Sequence, residues 1–147
     1  MVDTLAGDLD LARRAVRSGA SVAIAKAGRL LAQAKGGGVA PLLIALREAG
    51  DEARGSCVTD RVVGRAAAMI MLDAGVARVH AFIVSKPAIE LFSSRKLACT
   101  FDRLVEFITD RSGKDMCPIE KLSMGRTDCR LLRMELEHKF IAAAGKE

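Results

Sequence analysis

The sequence predicts an α/β domain with a mixed five-stranded sheet and helices on both faces, for two reasons. Apolar runs at 21–26 and 29–34 flank Ala27-Gly28, a pattern that indicates an antiparallel hairpin. Three further apolar runs then alternate with helical segments over short links, which is typical of parallel strands joined by right-handed crossovers. A chain of 147 residues is expected to form one domain over residues 1–147.

The composition favours an aliphatic core and argues against a nucleic-acid partner. Half of the residues are hydrophobic but only 3% are aromatic, which argues against a base-stacking surface for single-stranded nucleic acid. The net charge of +5 comes from dispersed basic residues, which are typical of a solvated surface and leave a phosphate-facing surface as the alternative. A nucleic-acid partner is therefore not expected.

No segment of the sequence indicates a membrane or a secretory route. The N-terminus lacks a basic segment followed by a long apolar region, and no apolar run approaches the ~18 residues of a membrane span. The four cysteines show no CxxC spacing. We therefore expect a cytoplasmic protein with reduced thiols, no membrane partner and no cofactor.

The first elements precede the parallel strands. Residues 3–18 form a predicted helix that Asp3 or Thr4 caps and Gly19 ends. Its apolar face contains Leu5, Leu9, Ala12 and Val16. After the hairpin, "KGGG" at 35–38 breaks the chain, and Pro41 begins a short helix over 40–49. The glycine run lacks the G-x-x-x-x-G-K-[ST] spacing of a phosphate loop.

The remaining elements follow in alternation. The predicted order is strand 55–59, helix 60–74, strand 77–85, helix 87–94 and strand 96–101. Next come a predicted helix at 102–109, a loop at 111–118, helical turns at 118–124 and a final helix at 127–143. The final helix carries one apolar stripe: Cys129, Leu132, Leu136 and Phe140.

Polar residues stand where two predicted parallel strands meet their helices. Thr59, Asp60 and Arg61 follow the first strand, and Ser85-Lys86-Pro87 follows the second. Thr59 or Asp60 has the side chain of a helix N-cap, which is a purely structural interpretation. Because such sheets bind ligands at the carboxyl ends of their strands, the functional alternative is a shared site at this edge.

The sequence resembles a family that is placed in the cytidine deaminase-like superfamily. The likeness rests on "DRVVGRAAAMIMLDAGVARVHAFIVSKPAIELF" and "DRSGKDMCPIEKL", and it runs from about residue 10 to 125. The family is an uncharacterised prokaryotic domain of unknown function. The resemblance implies a three-layer deaminase-like fold, with the segment around "MCPIEK" folded back over the mouth of the sheet.

The zinc chemistry of deaminases does not carry over with the resemblance. Those enzymes hold zinc with H-x-E at one helix start and P-C-x-x-C at the next. Here Thr59, Asp60 and Arg61 replace the first motif, and Ala88 and Leu91 stand where the two cysteines belong. We therefore predict no zinc ligands and no stoichiometric zinc.

The polar residues left near the predicted mouth are the candidate site. Asp60, Arg61, Ser85 and Lys86 are the candidate ligand-binding residues. Arg61 could pair with Asp60 or Asp115, or it could reach a phosphate on a ligand. Lys86 could contact an anion, or it could remain solvated at the surface.

Cys117 and Glu120 come from the "DMCPIE" loop, and with Asp60 they are the candidate catalytic residues. Cys117 precedes a helical turn, where a thiol can become reactive, but a cysteine that closes the loop onto the core is the alternative.

Three functions are compatible with this sequence. The first is a zinc-free module that binds a small anionic or nucleotide-like ligand in the former active-site cleft. The second is an enzyme that uses Cys117 as nucleophile with Asp60 or Glu120 as acid or base. The third is a structural or oligomer-forming protein. The first is favoured, and a homodimer is expected because an open sheet leaves free edges.

Overall fold

The computed structural model describes residues 3–142. The helices are α1 (Thr4–Arg17), α2 (Ala40–Ala49), α3 (Arg65–Ala74), α4 (Lys86–Ser94), α5 (Pro118–Ser123) and α6 (Cys129–Glu137). The strands are β1 (Val22–Lys26), β2 (Arg29–Ala34), β3 (Cys57–Val63), β4 (Arg78–Ser85) and β5 (Ala98–Val105). A short 3-10 helix spans Gly50–Ala53, and a π-helical turn spans His138–Ala142.

The strands form one mixed sheet in the order β2-β1-β3-β4-β5. β1 is antiparallel to both β2 and β3, whereas β3, β4 and β5 are parallel to one another. The predicted five-stranded mixed sheet is therefore confirmed. The turn between β1 and β2 uses Ala27 and Gly28 with φ of 52° and 80°, the left-handed conformation that a tight hairpin requires.

Helices cover both faces of the sheet. Along β1, Ala23 and Ala25 pack in a small core with Ala12 and Val16 of α1. Val22 and Ile24 point to the other face and join the main core with residues from α2, α3, α4 and α6. The alternation along β1 therefore separates the two layers of helix.

The boundary between β3 and α3 differs from the sequence prediction of a helix over 60–74. Asp60 is a strand residue, paired with Val22 of β1 and with Ala81 of β4. Gly64 is the N-cap of α3, with an extended backbone, so neither Thr59 nor Asp60 caps the helix. The β-branched pair Val62 and Val63 favours the strand conformation, and the ladder with β4 extends through both.

The segment that follows the last predicted strand also differs. β5 extends to Val105 instead of ending at 101, because its pairing with β4 continues as far as Ser85. Residues 106–109 form a bend and an isolated bridge between Thr109 and Met116, so the predicted helix at 102–109 is wrong. The helical turns predicted at 118–124 are present as α5.

The helix predicted over 127–143 is present as α6 and the π-helical turn that continues it to Ala142. Asp128 caps α6, which accounts for its start, and residue 143 lies outside the described residues. Leu132 and Leu136 of the predicted stripe are buried, whereas Phe140 is 36% exposed. Across residues 3–142, no helix has the length and apolar character that a membrane crossing requires.

Candidate functional site

Ser85 and Glu120 meet at the carboxyl end of β4. Ser85 is the N-cap of α4, and its Oγ accepts a hydrogen bond from the Ala88 amide at 3.3 Å. The same hydroxyl donates to Oε1 of Glu120 at 3.0 Å. Both side chains are buried, which makes this contact a fixed part of the sheet mouth.

Glu120 also supplies the acceptors for two backbone amides. Its Oε1 lies 2.7 Å from the amide nitrogen of Arg65 in the first turn of α3, and its Oε2 accepts from the amide of Ile108. Gly64, the N-cap residue, has no side chain that could cap α3. The Glu120 carboxylate caps the helix instead, although it lies 55 residues from Arg65 in the sequence. A negative charge at a helix N-terminus is favoured by the helix dipole.

Gly64 is the residue that admits this carboxylate. A Cβ at position 64 would lie 3.0 Å from Oε1 of Glu120 and 3.1 Å from a side-chain carbon of Ile108. The groups that approach this glycine are side chains, and the glycine lies directly before the helix and not within it.

Arg65 fixes the segment that carries Glu120. Its guanidinium donates to the carbonyl oxygens of Ser123 and Arg126, the second at 2.7 Å. Ser123 in turn donates from Oγ to the Glu120 carbonyl at 2.6 Å. The amide and side chain of one residue therefore hold the middle and the end of α5 against α3. Sequence reasoning missed Arg65 altogether.

Asp60 does not lie at this edge. Its β4 partner, Ala81, precedes Ser85 by four positions, which is about 13 Å along a strand at ~3.3 Å per residue. The expectation that Asp60 directly follows its strand is therefore wrong. Asp60 is only partly exposed, and burial raises the pKa of its carboxyl to about 7, although the Val62 and Arg61 amides offset part of that effect.

Arg61 is engaged with the end of α1. Its Nε donates to the Ala20 carbonyl at 3.1 Å, and its second guanidinium nitrogen donates to the Val16 carbonyl at 2.7 Å. The guanidinium also lies 5.8 Å from the ring centre of Phe82. The predicted alternatives of a pair with Asp60 or Asp115 do not occur.

Lys86 and Cys117 each contact the 106–109 bend. Nζ of Lys86 pairs with the Glu106 carboxylate at 2.7 Å, and this hydrogen bond raises the pKa of the lysine. Cys117 precedes α5, and its amide donates to the Ile108 carbonyl at 2.7 Å. The structure thus brings Ser85 and Glu120 together, whereas Asp60 and Arg61 lie apart from them.

The residues at the two helix starts do not fit a deaminase zinc. Position 64 is glycine, Ala88 and Leu91 have no metal-binding atoms, and the Glu120 carboxylate is used by three donors. His80 lies within β4, with Nδ1 2.6 Å from Oγ1 of Thr100. Within residues 3–142, no three His, Cys, Asp or Glu side chains are grouped closely enough to hold a metal ion.

A cavity of about 540 Å³ opens beside this network, at the carboxyl ends of the three parallel strands. It is lined by Val62, Ile83, Arg103, Val105, Glu106, Phe107, Ile108 and Thr109. Ile108 belongs to both features, because it lines the cavity and its amide is bound by Glu120. The buried carboxylate therefore positions one wall of the cavity.

The cavity has two charged side chains in its lining, one positive and one negative. Arg103 is exposed, and no carboxylate of residues 3–142 forms an ion pair with it. Glu106 connects the cavity with Lys86. Sequence analysis missed Arg103, because residues 102–109 were predicted as a helix, whereas the pairing of β5 with β4 continues through this segment to Val105.

The fold and this site define a class of α/β domain with a mixed sheet. Its helices α3 and α4 both start at the carboxyl ends of the parallel strands, and the buried Glu120 carboxylate binds to the starts of both. The family model described as TM1506, a domain of unknown function (DUF1893), matches residues 12–140. The chain therefore belongs to the DUF1893 family. No curated protein matches the sequence.

One solved structure agrees with this membership. A DUF1893 family protein (TM1506) from Thermotoga maritima is similar at a TM-score of 0.82 and 27% identity, over 95% of this chain and 92% of that one. Two structures of Acinetobacter baumannii RibD, form 2 and form 1, give TM-scores of 0.46 and 0.47 at 17% identity. The chain spans 38% of the length of RibD.

Proposed function

We propose that this domain binds a small anionic, nucleotide-like ligand in the cavity at the carboxyl ends of β3, β4 and β5, without zinc. The observation that carries the proposal is the combination of apolar walls with Arg103, a cation that has no carboxylate partner in the described chain. The volume of about 540 Å³ falls within the range of ~300–1,000 Å³ typical of small-ligand sites.

The lining supports a ligand with three chemical parts. Val62, Ile83 and Phe107 offer apolar surface for a flat ring. The Arg103 guanidinium is suited to a phosphate or carboxylate, which it can bind with two parallel hydrogen bonds. The Glu106 carboxylate accepts hydrogen bonds only, and so favours a hydroxyl or amino group on the same ligand.

Because the Glu120 carboxylate occupies the space between the starts of α3 and α4, we propose that the ligand binds beside these helix starts and not between them. Glu120 is 2% exposed and already receives hydrogen bonds from Arg65, Ser85 and Ile108. A second anion in that position would face an uncompensated like charge. Cys117 does not line the cavity, so nucleophilic catalysis by its thiol is not part of the proposal.

The proposal is tested by isothermal titration calorimetry with AMP, adenosine and inorganic phosphate. We expect AMP to bind more tightly than either fragment, because only AMP uses the apolar walls and the guanidinium together. Arg103→Gln should weaken AMP binding at least about tenfold, the loss of one charge-assisted contact. Arg47→Gln, an exposed arginine on α2, is the matched control. Equal binding of AMP by both variants, or none by the wild type, contradicts the proposal.

A further inference from the structure

We propose that β5 pairs edge to edge with β5 of a second copy of this chain, in an antiparallel register centred on Phe101. β5 is the outer strand of the sheet and pairs only with β4. Its free edge is eight residues long, which is long enough to template another strand.

The exposure of β5 distinguishes it from the other strands. Six of its eight residues are exposed, including Phe101 at 41% and Leu104 at 42%. β4, its neighbour, has no exposed residue. The opposite edge strand, β2, is shorter, with three of its six residues exposed. Edge strands of this kind are normally protected, and β5 has neither a proline nor a lysine along it.

Symmetry restricts how two copies of β5 can pair. A two-fold axis perpendicular to the sheet keeps each face of the sheet on its own side, so only side chains of the same face meet across the junction. Residues that oppose each other must then be separated by an even number of positions, and one residue lies opposite its own counterpart.

Charge and aromatic pairing together select the central residue of β5. Centring on Asp102 or on Arg103 places like charges directly opposite each other, which destabilises a strand pair. Centring on Phe101 places two aromatic rings together, and it places Thr100 opposite Asp102 on both sides of the axis. This register brings no like charges together and pairs the two rings, which favours a second copy over an unrelated partner. A closed pair leaves no β5 edge free.

The first experiment measures mass by sedimentation velocity at about 20 µM protein. We expect a dimer for the wild type and for Leu30→Lys, which alters the exposed leucine of the opposite edge strand. Phe101→Lys should weaken the dimer at least about tenfold, because two ammonium groups then face each other across the axis. A monomeric wild type, or a Phe101→Lys dimer of unchanged affinity, overturns the proposal.

The second experiment tests the register and does not depend on the folding of the lysine variant. Opposed residues in an antiparallel pair have Cβ atoms about 4.5–5.5 Å apart. Phe101→Cys should therefore form an intermolecular disulfide under mild oxidation, whereas Leu30→Cys and the wild type, with its four native free cysteines, should not. No cross-link at position 101, or equal cross-linking at position 30, overturns the pairing.

Discussion

Oε1 of Glu120 lies 2.7 Å from the amide nitrogen of Arg65, so a carboxylate from α5 caps a helix that begins 55 residues earlier in the chain. The same carboxylate binds the Ser85 hydroxyl and the Ile108 amide. One buried charge therefore joins α3, α4 and the bend after β5, and it determines the shape of the cavity wall that Ile108 contributes.

Removal of this carboxylate is expected to destabilise the fold. Glu120→Ala leaves the Arg65 and Ile108 amides and the Ser85 hydroxyl without their acceptor, at a cost of about 2–4 kcal/mol in the free energy of unfolding. Urea unfolding at pH 7 measures the loss. Glu48→Ala, an exposed glutamate on α2, is the control and should change stability by less than ~0.5 kcal/mol.

Urea unfolding of a second variant, Glu120→Gln, separates the stabilising effect of the negative charge from that of the hydrogen bonds. Glu120→Gln keeps one acceptor oxygen but directs an amide donor at groups that are themselves donors. We expect it to be less stable than the wild type and more stable than Glu120→Ala. A Glu120→Ala protein as stable as the wild type would contradict the network described for this residue.

Gly64→Ala tests the close approach of Glu120. The backbone at position 64 is extended, with φ of −93° and ψ of −177°, so alanine brings no conformational strain. Its Cβ would lie 3.0 Å from Oε1, and we expect a cost of about 1–3 kcal/mol from overpacking. Gly37→Ala is the control, because a Cβ there meets no atom within 4 Å.

A double-mutant cycle shows whether the two residues act on each other. If the Glu120 carboxylate causes the cost of Gly64→Ala, that cost shrinks in a Glu120→Ala background. Strict additivity of the two losses would show that the glycine is required for another reason.

Titration of the Asp60 carboxyl is expected to lower the free energy of unfolding as pH rises. Its folded-state pKa of about 7 lies above the ordinary value of 3.8, so between these values the native state binds more protons than the unfolded state. By linkage, the free energy of unfolding decreases from about pH 4 to about pH 7 and then levels off with respect to this group. Asp60→Asn should remove that component and therefore stabilise the protein more at pH 8 than at pH 4.5.

Urea unfolding at the two pH values checks this prediction, with the exposed Asp51→Asn as the matched control. Parallel pH profiles for the wild type and Asp60→Asn would mean that the Asp60 carboxyl titrates normally.

Cys57 and Cys99 are expected to resist alkylation in the folded protein. Burial raises the pKa of the Cys57 thiol to about 11 and that of Cys99 to about 12. At pH 8 the thiolate fraction is reduced on the order of a hundredfold for Cys57 and on the order of a thousandfold for Cys99, relative to an unperturbed thiol. Iodoacetamide labelling followed by peptide mass spectrometry measures the rates. Protein unfolded in guanidinium is the control, and comparable rates for both thiols in the two states would refute the prediction.

The strand pattern and hairpin of this chain were predictable because they rest on local signals. The Ala27-Gly28 turn lies between two apolar runs, and both residues adopt the left-handed conformation that the hairpin needs. The parallel pairing of β3 with β4 followed from one intervening helix and short links. Each of these features depends on neighbours along the sequence.

The site was less predictable because it depends on contacts between distant segments. The polar residues Thr59 and Asp60 indicated a helix cap, but pairing with β1 and β4 on both sides keeps them in the strand. The true cap, Glu120, was identified as a candidate catalytic residue, and nothing local in the sequence connects it with Arg65. Tertiary packing decided between two locally acceptable conformations.

The cavity proposal is tested most directly by methyl NMR of the isoleucine, valine and leucine side chains during titration with AMP. We expect the methyl signals of Val62, Ile83, Val105 and Ile108 to shift together with one saturation curve, because these residues line the cavity. The signals of Leu132 and Leu136, which are buried on α6 and do not line the cavity, should not move. AMP binding that shifts other methyl groups and leaves the cavity residues unchanged would contradict the proposed site.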